Sequence, residues 1–527
     1  MTLPRLGLIL AALIVAAIVA DYAVLLSGAT AAGLRDLVAD VYLRRVIGFT
    51  FLQAALSTLL SLAAAIPAAR ALARQNAFPG RRLILQFCAL PLVMPSVAAI
   101  FGVVAIYGRS GYLADLAATL GLGWRPSIYG LGGILIAHVF FNLPLAVRLI
   151  LPAWGTVPVE SWRLAGQLGM GSGQVFRLIE LPLLRQWVPA AAAFIFTLCF
   201  LSFAVVLTLG GGPRATTIEV AIYQALRIDV DLPRGGALAL LQTLACLLLV
   251  AVAWAAGKRL DFGRGSRLLG ARFDGAGAGP RLRDAATLFV AIGFVALPVA
   301  AVVFDGLRGL FFATGEFAPL LKASFVTLAL GLPSGLLATA CALPIAIAAD
   351  RLRGKRGAVV LIGIAGLAGV IVSPMAVGAG IVLAAAGRVD LYALAPAGVV
   401  AMNALLTLPF AVGVLQPAAA RNHAQYDRLC AGLGIAGRDR WRVVDWPLLR
   451  QSIGLAAGLS TAAAMGDLAA IALFGNQALT NLTLLLYNQI AAYRMAAASG
   501  TALVLLALCL ASFIAIERLV GGRRVVS

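Results

Sequence analysis

Glu160-Ser-Trp-Arg-Leu-Ala-Gly-Gln-Leu-Gly169, then after a glycine-rich bend Phe176-Arg-Leu-Ile-Glu-Leu-Pro182-Leu-Leu-Arg185, forms a soluble-looking island between two long apolar runs. It returns 265 residues later as Arg428-Leu-Cys-Ala-Gly-Leu-Gly434 and Trp441-Arg-Val-Val-Asp-Trp-Pro447-Leu-Leu-Arg450. Arg163 matches Arg428, Gly169 matches Gly434, Glu180 matches Asp445, and Pro182-Leu-Leu-Arg-Gln matches Pro447-Leu-Leu-Arg-Gln. A constant offset over so many positions means an internal duplication, with one island in each half.

Glu160, Arg163 and Gln167 recur at i, i+3 and i+7 and share one helical face. Leu164, Ala165 and Leu168 are expected on another, which predicts a short amphipathic helix. Gly169 suits a left-handed cap, and Gly171 and Gly173 let the chain turn. The residue before a proline avoids the α region, so Leu181-Pro182 and Trp446-Pro447 are expected to stop a second short helix. Each island thus reads as helix, bend, helix: polar on one side, anchored at both ends, and shaped for another protein to grip.

Around the islands the composition leaves one broad class. Of 527 residues 62% are hydrophobic and 12% charged, with a mean hydropathy of +0.99. Such a chain is an all-α polytopic membrane protein. The net charge of +20 lies in short loops between apolar runs rather than in one patch, so nucleic acid is not implied as a partner. Six dispersed cysteines with no C-x-x-C pair, and two distant histidines, indicate neither a disulfide framework nor a metal site.

Runs long enough to cross a bilayer are placed at about 6–27, 47–68, 83–107, 128–151, 187–209 and 236–257, and again at 284–305, 320–349, 358–387, 392–415, 452–475 and 498–517. This predicts two homologous six-helix halves, 1–257 and 284–527, with loops 157–185 and 422–450. The Gly- and Arg-rich segment 258–283 reads as a flexible surface tether between them. The first run lacks a sharp polar cleavage region and is read as a retained helix rather than a signal peptide. With both termini cytoplasmic, 29 Lys and Arg fall inside and 12 outside, the sense of the positive-inside rule.

Each island resembles the cytoplasmic coupling loop, or EAA loop, of importer permeases of the ABC class. That pattern is Glu-Ala-Ala, three residues, Gly, nine residues, a branched apolar residue, one residue, then Leu-Pro. Ala165, the thirteen-residue steps Gly169 to Pro182 and Gly434 to Pro447, and the prolines themselves carry the resemblance. The acidic position departs from it, being Arg163 and Arg428, with Glu160 or Asp427 as possible substitutes. The resemblance implies that the islands dock on an ATP-binding subunit, present as a homodimer, and that a periplasmic solute-binding protein delivers solute at the bacterial inner membrane. No cofactor is implied for this chain. Two further stretches, His138-Val-Phe-Phe-Asn-Leu-Pro144 and the loop Leu207 to Arg227, resemble the permeases of thiamine and thiamine pyrophosphate importers, as does Leu486-Tyr-Asn-Gln-Ile490 with Tyr493-Arg494.

Walker spacing is absent, so nucleotide hydrolysis is expected on another polypeptide and not here. Gly432-x-Gly434-x-x-Gly437 matches a dinucleotide fingerprint by letter only, because no strand precedes it. An ionisable group inside a span costs about 2.5–3.5 kcal/mol at mid-membrane, which makes it a functional candidate. Asp467, in Met465-Gly-Asp-Leu-Ala-Ala-Ile-Ala-Leu-Phe-Gly475, could offer charge to a cationic solute or be satisfied by local backbone. Phe203 and Tyr223 could add cation–π contacts, and His138 and Asn142 are further pathway candidates. Asp21, on a helix expected at the periphery, carries little weight. Glu219, Tyr223 and Arg227 recur every four residues, either as a ledge for an outside partner or as a solvated face.

Three functions fit, two of them driven by ATP and one by an ion gradient. A two-half permease for thiamine and its phosphates leads; a ferric iron permease of the same build is the nearest alternative. A secondary transporter of two six-helix halves also predicts twelve spans, but not matched islands.

Overall fold

The structure, a computed structural model, describes residues 3–28, 40–88, 90–255, 272–312, 317–385, 390–475 and 479–522. Every regular element among these residues is helical. In the first half they are α1 (Leu3–Gly28), α2 (Val41–Arg74), α3 (Arg81–Phe87), α4 (Ser96–Tyr107), α5 (Tyr112–Thr119), α6 (Leu131–Ile150), α7 (Val159–Gln167), α8 (Leu181–Phe200), α9 (Ala204–Leu209), α10 (Ile218–Arg227) and α11 (Leu232–Ala255). The second half has α12 (Ala278–Phe312), α13 (Phe317–Arg351), α14 (Arg356–Gly366), α15 (Pro374–Ala385), α16 (Leu391–Gly432), α17 (Trp446–Met465), α18 (Ala469–Phe474), α19 (Leu482–Ala491) and α20 (Met495–Gly521).

Among the described residues, ten helical stretches are long and apolar enough to cross a membrane. Two of the twelve expected spans fall outside that set, each for a physical reason. Residues 358–387 are broken into α14, a single turn at Ala368–Ile371 and α15, with Pro374 opening the last piece. A proline at the first position of a helix loses no hydrogen bond there, so it favours a fresh start. The stretch 452–475 is α17 and α18 with a break at 466–468. Gly454, Ser460 and Thr461 lower its hydropathy, yet all three are buried against other helices. Expected span 83–107 is broken in the same way, into α3, a turn at Leu90–Leu92, and α4 behind Pro95.

The first helix of each half packs outside its own half. α1 lies on α13, α14 and α15 as well as α11, and α12 lies on α2 and α4 as well as α20. Asp21 is therefore less peripheral than expected: its carboxylate occupies the space that a Cβ on Gly380 of α15 would need. Short helices cross in the same manner, with α10 on α15 and α19 on α4.

The tether also differs from expectation. Residues 258–271 lie outside the described residues, but 272–275 form a buried turn in which Arg272 and Asp274 are 8% and 7% exposed. Residues 278–283 already belong to α12. The amide nitrogen of Gln75 donates to the Gly275 carbonyl (3.1 Å) and to Asp284 (3.0 Å), tying this turn to the end of α2.

α13 and α17 approach closely because glycine sits at the contact. A Cβ on Gly335 would fall on the backbone of Thr461, and one on Gly331 on the Met465 side chain. Backbone cannot yield as a side-chain tip can, and overpacking of this kind costs about 1–3 kcal/mol. Gly335→Ala is expected to lower the thermal unfolding temperature of the detergent-solubilised protein, whereas Gly48→Ala, in open space, should leave it unchanged.

Candidate functional site

The first island is built on one buried carboxylate. Glu180, 0% exposed, accepts from Arg70 Nε (2.6 Å), Arg272 Nη1 (2.8 Å) and Trp154 Nε1 (2.9 Å). Arg272 also makes a two-pronged pair with Asp274 (2.9 and 2.8 Å) and lies over the Trp162 ring at 4.2 Å. Burial alone would lower the Arg272 guanidinium; hydrogen bonds and charge from Asp274 and Glu180 reverse this and raise it above its usual range. The Phe273 ring packs on Gly166. Arg70 and Arg74 both reach Ser172 Oγ (3.2 and 3.0 Å), and Arg74 pairs with Asp284 at 2.5 Å. The end of the tether thus clamps α7 from beneath.

This clamp corrects the expected apolar face of α7. Trp162 and Ala165 are buried at 3% and 2%, while Leu164 and Leu168 are exposed beside Glu160, Arg163 and Gln167. Gly169 takes the expected left-handed conformation at φ 63°, as does Gly434 at φ 67°.

Pro182 and Pro447 do not stop a helix. Each stands near the start of a 20-residue helix that continues upstream through a π-helical turn, Phe176–Glu180 or Trp441–Asp445. Proline offers no N–H to the carbonyl four residues back, and the wider i→i+5 turn absorbs that loss without a break.

The second island departs from the expected helix–bend–helix. Its first helix is the end of the 42-residue α16. Pro152 has its counterpart in Pro417, but Pro158, which separates α7 from the preceding turn, has His423 instead. With no second proline the helix runs on, and His423 Nδ1 shares a 2.7 Å hydrogen bond with Asp350. Asp445, the match of Glu180, accepts from Asn422 Nδ2 (3.0 Å) and Arg440 Nε (3.2 Å). Asp427 is taken up by Arg440 (2.6 Å) and Arg351 (2.6 and 3.0 Å), so it does not stand free for a partner as expected. Glu160 remains exposed. Leu429 and Leu433 are exposed at 56% and 65%, against 56% and 68% for Leu164 and Leu168, with Arg428 beside them as Arg163 is in the first island. Both islands therefore present the same Arg-Leu-x3-Leu face.

The pathway candidates separate into two groups. His138 and Asn142 are buried inside the first half, where they join α6 to α2 and α8. His138 Nδ1 shares a 2.8 Å hydrogen bond with Ser57 Oγ, and Asn142 Nδ2 donates to Cys199 Sγ at 3.2 Å. Phe203, Tyr223 and Asp467 are at the breaks and short helices between the halves. Phe203 meets Tyr223 edge-on with ring centroids 5.4 Å apart. Asp467 Oδ2 accepts from the Ala470 N–H (2.9 Å), the local backbone satisfaction weighed in the sequence. Glu219 and Arg227 form no ledge: Glu219 is 0% exposed, and Arg227 Nη2 donates to the Gly475 carbonyl (2.8 Å). Periodicity along α10 could not show which side of that helix the other half covers.

No protein-family model matches the chain. It is, however, 42% identical over 491 residues to the thiamine transport system permease protein ThiP of Brucella abortus, covering 92% of this chain and 89% of that one. Its counterpart in Escherichia coli is 40% identical over 484 residues, covering 92% and 90%. The chain belongs to the family of thiamine transport system permeases. As a member of that family it is a multi-pass membrane protein, in keeping with the ten apolar helical stretches among the described residues. Part of the chain is also similar to the molybdenum transport system permease protein ModB of Azotobacter vinelandii, 31% identical over 176 residues, 33% of this chain and 76% of that one.

Removing Glu180 would leave the buried guanidinium of Arg272 with Asp274 alone and that of Arg70 without a carboxylate. Breaking a buried ion pair from one side costs about 3–5 kcal/mol. Glu180→Ala is expected to lower the thermal unfolding temperature and to expose the 272–275 turn to protease, while Glu160→Ala does neither.

Proposed function

We propose that this chain is the two-half permease of an ATP-driven importer that carries thiamine and its phosphates across the bacterial inner membrane. The observation that carries the transport mechanism is the repeated Arg163-Leu164/Leu168 and Arg428-Leu429/Leu433 face, exposed at matching positions of both islands. Exposed leucines beside an arginine on a rigid, clamped helix make a surface that another protein covers. The thiamine assignment is supported by relatives named for thiamine transport over nine tenths of the chain.

In this reading the halves are 1–257 and 284–527, both termini are cytoplasmic, and each island, 157–185 or 422–450, docks on one subunit of an ATP-binding homodimer. A periplasmic solute-binding protein delivers solute on the far side. The excess of Lys and Arg on the island side supports that orientation. Glu160 supplies, in the first island, the acidic contact that Arg163 lacks; Ala165, Gly169, Pro182, Gly434 and Pro447 shape the loops, and Asp427 braces the second.

Force applied to an island enters the membrane through one continuous helix. α8 and α17 begin directly after Glu180 and Asp445 and end at the breaks 201–203 and 466–468. Beyond those breaks lie α10 and α19, each packed on the opposite half. Drawing the islands together tilts α8 and α17, and the crossed helices move with the half they touch. Phe203, Tyr223 and Asp467 border that moving boundary and face the solute; His138 and Asn142 hold the wall behind them.

Reconstitution tests the reading. Labelled thiamine should enter proteoliposomes only with the ATP-binding subunit, the binding protein and ATP. Leu164→Glu with Leu429→Glu should abolish co-purification of the ATP-binding subunit and cut uptake at least tenfold, because both changes lie on exposed positions. Uptake driven by a proton gradient without that subunit would contradict the proposal.

A further inference from the structure

α8 and α17 stop at matching places. In each the helix gives way to three irregular residues, 201–203 and 466–468, at the same 265-residue offset as the islands. A helix that stops leaves carbonyls without the N–H four residues on, and inside a membrane protein neighbouring groups must stand in for it. The carbonyls of Cys199 and Ala464 are such a pair, again matched by the offset. Each accepts a long hydrogen bond from the N–H three residues ahead, Ser202 at 3.3 Å and Asp467 at 3.4 Å.

A buried side-chain amide supplies a further donor in both halves. Gln53 Nε2 of α2 donates to the Cys199 carbonyl at 2.9 Å, and Asn403 Nδ2 of α16 to the Ala464 carbonyl at 3.3 Å. Gln53 is 0% and Asn403 4% exposed. These two residues are not duplicates of one another. Thr50 with Thr327, and Pro67 with Pro344, align α2 on α13 and set Leu330 opposite Gln53. The 265-residue offset sets His138 opposite Asn403, and His138 is turned to Ser57. Different residues on different helices therefore reach the same carbonyl.

Both amides are kept at a cost. Gln53 Oε1 and Asn403 Oδ1 have no hydrogen-bond partner, and a buried polar atom left unmet is destabilising. A residue needed only to fill space there would be apolar, as the buried Leu330 is. The N–H of each amide is the part in use, and what it meets is the end of a helix. The far edge of each boundary segment is held as well. Thr50 Oγ1 accepts from the Ile218 N–H that opens α10 (3.1 Å), and Thr327 Oγ1 from the Leu482 N–H that opens α19 (2.9 Å).

We propose that Gln53 and Asn403 are positioning residues for transport: each inserts an amide into the open hydrogen-bond ladder of α8 or α17 and so fixes where that helix stops. A side chain that enters the ladder is one of the few causes of a sharp bend. With the donor gone, the carbonyl regains a partner by drawing the N–H of Phe203 or Leu468 into an added helical turn, and the break moves. The inference rests on the importer reading above and deepens it, because a tilt imposed at an island reaches Phe203 and Asp467 only while each break keeps its place.

The test reads coupling rather than stability, in proteoliposomes holding the permease, its ATP-binding subunits, the binding protein and labelled thiamine. Gln53→Met and Asn403→Leu keep the size of the side chain and remove the donor. Each should cut the thiamine moved per ATP hydrolysed at least fivefold, while ATP hydrolysis stays within twofold of the wild type. Leu330→Gln added to Asn403→Leu gives the second half the donor of the first, and should bring the ratio back to within twofold of the wild type. Ser61→Ala, on α2 and equally buried with an unmet hydroxyl, should leave the ratio unchanged. The two single variants stand in different halves, so either decides the matter if the other fails to assemble. A wild-type ratio in an assembled single variant, or an equal loss in Ser61→Ala, would reduce the amides to packing and overturn the proposal. A double variant no better than Asn403→Leu would overturn it for the second half. No thiamine uptake by the wild type would overturn the importer reading itself.

Discussion

Glu180 and Asp445 stand where each island joins the helix that follows it, and the geometry on the island side follows from satisfying them. A carboxylate at 0% exposure needs cations or donors around it, and in the first half these come from three separated stretches: Arg70 at the end of α2, Trp154 before α7, and Arg272 from the tether. Meeting that one requirement fixes the island against α2 and leaves Leu164 and Leu168 facing out. A face held this rigidly transmits displacement instead of absorbing it.

The second half solves the same problem with different residues. Asp445 draws on Asn422 and Arg440, both within its own island, and Asp427 draws in Arg351 from α13. No tether segment contributes among the described residues. The two islands thus offer matching faces on differently braced supports, so a symmetric pair of ATP-binding subunits would meet unequal stiffness. The centre is unequal as well, with Glu219 and Asp467 each lacking a duplicate.

Crossed packing joins these two regions. Because α1 and α12 lie on the opposite half, and α10 and α19 reach across as well, neither half can move as an isolated bundle. Tilting α8 or α17 changes the boundary at 201–203 and 466–468, where short helices replace long regular ones. Breaks in the ladder at those points give the chain its freedom where the halves meet.

Reading the residues in order was enough for the helical class, the duplication and the position of both islands, because hydropathy and a constant 265-residue offset are properties of the chain itself. Left-handed Gly169 and Gly434 were equally legible, since that backbone conformation is a local steric matter. Which face of α7 is buried was not, because Arg272 and Phe273 cover it from more than a hundred residues away. The π-helical passage of Pro182 and Pro447, the fusion of the second island with α16, and the burial of Glu219 likewise depended on neighbours brought in by the fold. Local chemistry states what each residue needs; only tertiary packing decides which distant group meets that need, and which carboxylates are left without one.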